Sequence, residues 1–166
     1  LRNQISSHLK TPRPHTQRAI ARLETGSGVD CYLSRHFGGK ITDQRKREIV
    51  NRLRIVLSEL YLSRHAWKCR EKGSGFLGCV NRDRGTVGGR VEMKDVVVLL
   101  CVNQRPSYSD WPSVLHEIVH RTGIFGEEFY KGESGYPGKD AMRNADSYAR
   151  LAEDVGAANW KPCGTD

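Results

Sequence analysis

Apolar residues recur along this chain at helical spacing in its first third and again near its end. Ala19, Ile20 and Leu23 predict a first helix that stops at Gly26-Ser27-Gly28. Ile49, Val50, Leu53, Val56, Leu57, Leu60 and Tyr61 then step by three and four residues, the apolar stripe of a long helix running to about His65. Thr42 is its expected N-cap, with Asp43 in the first turn. The middle of the chain changes period. Phe76, Leu77 and Val80 sit among glycines, Val87 to Val91 follows a Gly-rich turn, and Val96 to Val102 is rich in β-branched residues. These predict short strands of a small sheet, antiparallel where turns are tight. Helical pattern resumes at Pro112, a residue suited to a first turn. A last helix is expected from about Asp140 through Met142, Ala145, Tyr148, Leu151 and Ala152. Residues 1–17 are polar, contain Pro12 and Pro14, and predict a flexible tail. Residues 18–166 form one α+β domain with N-terminal helices, a small sheet and no internal repeat.

Composition narrows the class. With 166 residues, 37% of them hydrophobic, the chain can bury the core of one domain, which excludes wholesale disorder. Its longest uncharged apolar run, Val96 to Val102, covers seven residues and excludes a helical membrane span. The chain opens on Leu1 with no apolar leader, which predicts an excised or processed domain. Net charge is +8, and residues 1–90 carry 19 Lys/Arg against 7 Asp/Glu, whereas residues 91–166 carry 8 against 12. A basic half can mark a nucleic-acid or anionic surface. Here no basic block exceeds Arg45-Lys46-Arg47 and no nucleic-acid-binding signature accompanies it, so solvated helix faces are the expected use of the charge. Five cysteines occur, at 31, 69, 79, 101 and 163, with no CxxC pair to hold a structural zinc. Cys69 and Cys79 flank a Gly-rich loop and could close a hairpin; an odd count leaves one thiol over.

The chemistry concentrates in Leu115-His116-Glu117-Ile118-Val119-His120, which contains HExxH. On a helix, positions four apart share a face, so both imidazoles can reach one Zn²⁺ ion. Glu117 can then accept the proton of a water attacking a carbonyl. A chance HExxH would occur in roughly one such chain in a hundred, so the apolar backing of Val114, Leu115, Ile118 and Val119 matters to the reading. Two histidines leave zinc one protein ligand short. The carboxylates within reach downstream are Glu127, Glu128, Glu133, Asp140 and Asp146, and the turn Gly123 to Gly126 lets the chain reverse toward the metal. His36 and His65 lie in basic contexts and read as surface histidines; Trp111 reads as a core or staple residue and Tyr136-Pro137-Gly138 as a turn.

HEIVH, GEEFYKG and AMRNADSYARLAEDV together resemble the deuterolysin-type (aspzincin) zinc metallopeptidases, in particular the peptidyl-Lys metalloendopeptidase branch and its bacterial relatives. The resemblance implies a zincin-like fold with His116 and His120 as zinc ligands and Glu117 as general base. It maps the family's D-x-x-Y element onto Glu127-Glu128-Phe129-Tyr130, which makes Glu127 the third ligand and Tyr130 the hydroxyl that steadies the oxyanion. It places Asp146 of Asn144-Ala145-Asp146-Ser147-Tyr148 at the floor of a pocket for a substrate Lys, with Ala149 where Lys-specific members carry a second acid. It thus implies an endopeptidase acting on protein or peptide, with Lys or Arg preferred after the cut. It further suggests a toxin or effector domain, secreted or delivered by a secretion system and countered by a cognate inhibitor or immunity protein. Two other classes fit the residues themselves: a basic binding module with a non-catalytic HExxH, and a zinc amidase acting on peptidoglycan.

Overall fold

Five α-helices carry the fold in the computed structural model, which describes residues 10–61, 67–68, 78–82, 96–100, 111–124, 126 and 128–164; for 67–100 and residue 113 it describes the backbone alone. Helix α1 spans Pro12–Thr25, α2 Asp30–Phe37, α3 Asp43–Tyr61, α4 Trp111–Arg121 and α5 Ala145–Gly156. Residues 12–17, expected in a tail, are instead the first turns of α1. Proline is tolerated there because the first helical N–H groups have no intrahelical partner to lose. The expected stop holds: Gly26 takes φ 77° and its N–H returns to Arg22 O. Helix α2 has no counterpart in the sequence expectation. Thr42 receives Arg45 N–H at 3.2 Å, and α3 buries Ile49, Val50, Leu53, Val56 and Leu60 on one face, while Tyr61 points outward. The last helix begins later than expected. A 3₁₀ turn, Ala141–Arg143, precedes it, and Asn144 breaks the run by capping α5 through Asp146 N–H.

Helix α5 is the hub, packed by α1, α2 and α4. Its small residues make this possible: a Cβ at Gly156 would lie 2.2 Å from His15 O of α1. Its orphan C-terminal carbonyls are capped from α1, Arg18 reaching Gly156 O at 2.7 Å and Arg22 reaching Val155 O and, at 2.8 Å, Ala157 O. Arg13 likewise caps α3 at Leu60 O, and Arg45 donates to Phe37 O. Four arginines of the basic first half therefore serve helix ends. A disulfide, Cys31–Cys163, ties the C-terminal segment to α2; of the suggested Cys69–Cys79 link, Cys69 lies outside the described residues and Cys79 is described in its backbone alone. Backbone segments β1 (Trp67–Lys68), β2 (Gly78–Arg82) and β3 (Val96–Leu100) pair in the order β1-β3-β2, with β1 parallel and β2 antiparallel to β3. Helix α4 contacts both the β2 and β3 backbone and α5. No helix among the described residues is long and apolar enough to cross a membrane.

Candidate metal centre

Helix α4 is buried almost all round. Val114, Leu115, Ile118 and Val119 are core residues, as the apolar backing predicted, and Trp111 at its start is buried against the His15 ring. Three polar side chains share that burial: His116 at 5% exposure, Glu117 at 6% and His120 at 5%. Buried ionisable groups are costly unless partnered, so three on one helix call for a compensating interaction.

The two imidazoles converge. His120 Nδ1 lies 2.8 Å from Ile124 O, which the positive-φ turn at Gly123 brings back beneath the helix end. Only a protonated Nδ1 can donate to that carbonyl, so Nε2 of neutral His120 presents a lone pair. His116 Nε2 faces it at 3.0 Å. Glu128 completes the group, with Oε1 2.8 Å from His120 Nε2 and Oε2 4.0 Å from His116 Nε2. Two imidazole nitrogens and a carboxylate, with one donor atom from each all within 4.8 Å of one another, form a group that could hold a cation. Ligand atoms about 2.0–2.1 Å from a tetrahedral zinc are roughly 3.3 Å apart, and the observed separations straddle that value. The donor set therefore fits zinc.

Electrostatics agree with this grouping. The His120 contact, strongest of several, holds the Glu128 carboxyl down at about 2, against a smaller upward push from burial and with help from Tyr130. Burial alone would lower His120, but Glu128 and the Ile124 carbonyl outweigh it and raise its pKa. Burial raises Glu117, whose Oε2 has no hydrogen-bond partner among the described residues. Tyr130 stacks on the His116 ring, centroids 5.6 Å apart, and donates its hydroxyl to Glu128 Oε2 at 2.9 Å. Burial first, then Glu128, pushes its phenol pKa up, so the proton stays on.

The fold is that of a zinc peptidase. A solved zinc peptidase from Grifola frondosa superposes with a TM-score of 0.63 over 89% of this chain and 91% of its own, at 16% sequence identity. No protein-family model matches the sequence. No curated protein matches it either.

The structure brings together His116, Glu117, His120 and Tyr130 of the residues singled out in sequence. Glu127 lies outside the described residues, and the carboxylate standing at the imidazoles is Glu128. Asp146, expected at the floor of a pocket for a substrate Lys, is buried among the following groups. It is 2% exposed, and its oxygens meet Lys131 N–H at 2.8 Å, Arg150 Nε at 3.3 Å and His116 Nδ1 at 3.7 Å. Burial pushes its carboxyl up, but His116, the Lys131 N–H and Arg150 together hold it below its usual value. His36, expected at the surface, is corrected: it is fully buried, between Tyr136 and Asp154, because its partners come from residues 100 and 118 positions away. His65 lies outside the described residues. Sequence reasoning passed over Asp154 and Lys131, and nothing local marks them, since they meet each other and His36 only in the fold.

Proposed function

We propose that this chain is a zinc-dependent endopeptidase in which His116, His120 and Glu128 hold the metal and Glu117 is the general base. The observation that carries the reading is the convergence of both imidazole Nε2 atoms and a Glu128 oxygen beside a buried, half-unpartnered Glu117. The shared fold with a zinc peptidase supports it. Zinc at such a site supplies Lewis acidity, lowering the pKa of water toward neutrality and polarising a carbonyl. The residues of this chain do the rest. Glu117, raised by burial, is suited to take a proton from attacking water and return it to the leaving amine. Tyr130 keeps its proton and, 43% exposed, can turn its hydroxyl from Glu128 to a developing oxyanion.

Asp146 is assigned the orientation of His116, a role its engaged oxygens suit. A preference for Lys or Arg after the cut then needs another carboxylate, and cleavage-site mapping with Asp146→Asn in a peptide library separates the two roles. Secretion and an effector role belong to the same proposal; the Cys31–Cys163 disulfide supports an oxidising compartment. The test of the activity is hydrolysis of a denatured protein by the purified chain, abolished by a chelator and restored by zinc. Loss of that hydrolysis by at least about 100-fold in Glu117→Gln, with zinc still bound, is the expected result. Full activity after chelation, or in Glu117→Gln, would overturn the proposal.

A further inference from the structure

Resting on the reading of His116, His120 and Glu128 as zinc ligands, we propose that Lys131 and Asp154 form a positioning pair that sets the zinc affinity of the centre from outside it. Lys131 follows Tyr130 in the segment that carries Glu128. Its ammonium lies 3.0 and 3.1 Å from the two oxygens of Asp154 on α5. Its backbone N–H donates to Asp146 Oδ2 at 2.8 Å, and Asp146 Oδ1 faces His116 Nδ1 at 3.7 Å. One residue therefore fixes the Glu128 segment through its side chain and the carboxylate behind His116 through its main chain.

Asp154 is itself held in register. His36 is fully buried, with Nε2 2.9 Å from Asp154 Oδ2 and Nδ1 2.6 Å from the Tyr136 hydroxyl. A neutral ring satisfies both contacts when Tyr136 donates to Nδ1 and Nε2–H donates to Asp154. Tyr136 belongs to the same loop as Lys131, so residues 128–138 are pinned at two points onto α2 and α5. A solitary exposed ion pair would contribute little. This one differs because Asp154, 17% exposed in its side chain, is gripped from a buried ring on its other side. Glu128, by contrast, is 37% exposed in its side chain, so its approach to His120 depends on where the loop is pinned. Groups that orient metal ligands from outside typically change affinity or activity 10–100-fold when removed.

The test uses the whole chain and zinc alone, titrated against a chelator of known affinity. Lys131→Met and Asp154→Asn should each weaken zinc binding about tenfold. The double variant should be no weaker than the poorer single by more than about threefold, because both remove the Lys131–Asp154 contact, while Asp154→Asn alone also alters the contacts of Asp154 with His36 and Arg35. Lys131→Arg, which can restore the pair to Asp154, should return affinity to within about threefold of the parent. Lys131 is 40% exposed in its side chain, so Lys131→Met is expected to fold, and with Lys131→Arg it carries the test even if Asp154→Asn does not. A role confined to stability would move the unfolding temperature and leave zinc affinity alone. Folded Lys131→Met binding zinc within twofold of the parent would overturn the proposal. His116→Ala is the control for the underlying reading: if it keeps parental zinc affinity, the metal centre itself has been misassigned.

Discussion

Glu117→Gln should abolish hydrolysis and stabilise the zinc-free protein at the same time. Glu117 is 6% exposed, and its Oε2 has no hydrogen-bond partner among the described residues. Leaving a buried polar group unsatisfied costs about 1–3 kcal/mol, and more for a charge. Glutamine still buries an amide, so the gain falls at the low end, about 1 kcal/mol. For a chain of this size that corresponds to a rise of about 2–4 °C in the unfolding temperature. Burial raises the folded pKa of Glu117 above its ordinary 4.5, so the folded state keeps a proton that the unfolded chain releases. Stability then falls as pH rises from about 4.5 through the folded value, and the penalty is complete above it. The assay is thermal unfolding of parent and variant with chelator present, at pH 7.5 and at pH 4. The gain should appear at the higher pH and vanish at the lower. An unfolding temperature for Glu117→Gln equal to or below the parent at pH 7.5 would refute the reasoning.

Further expectations follow from the same geometry. Glu128→Ala should weaken zinc binding, measured by chelator competition, by more than the roughly 10–100-fold seen for outer partners of ligands; unchanged affinity would move the third ligand elsewhere. Asp154 should show a linkage of opposite sign. Burial works against its ionised form, yet His36 and Lys131 hold its carboxyl down at about 2, so its stabilisation is present above about 3.8 and is lost as pH falls toward 2. That window is worth about 2 kcal/mol and should be missing from Asp154→Asn in acid unfolding curves. Replacing Cys31 by Ser should lower stability by about 2–5 kcal/mol in denaturant titrations under oxidising conditions, with no difference once both proteins are reduced.

What could be read in advance was what local periodicity encodes. Most of the buried face of α3 was legible, because Ile49, Val50, Leu53, Val56 and Leu60 repeat over about three turns of one helix, although Tyr61 of the same stripe points outward. The placement of His116 and His120 on one face followed from a four-residue spacing. Helix α2 was missed because eight residues offer too little periodicity, and its tertiary anchors, the Cys31–Cys163 link and the packing of Phe37 on Tyr148, come from the far end of the chain. His36 looked exposed because its neighbours Arg35 and Lys40 are basic; its burial is decided by Tyr136 and Asp154. Arg18 and Arg22 of α1 looked like a charged surface for the same reason, since the carbonyls they cap at residues 155–157 cannot be seen from their own segment. The Lys131 N–H that engages Asp146 comes from 15 positions earlier in the chain and was likewise not legible.

The central claim is a zinc ion held by two imidazoles and Glu128. Anomalous diffraction at the zinc edge, from crystals grown with one equivalent of zinc, tests it most directly. The account predicts a single strong peak about 2.0–2.2 Å from His116 Nε2, His120 Nε2 and a Glu128 oxygen. No peak at these residues, or a peak completed by Glu127 or Asp146 in place of Glu128, would contradict it.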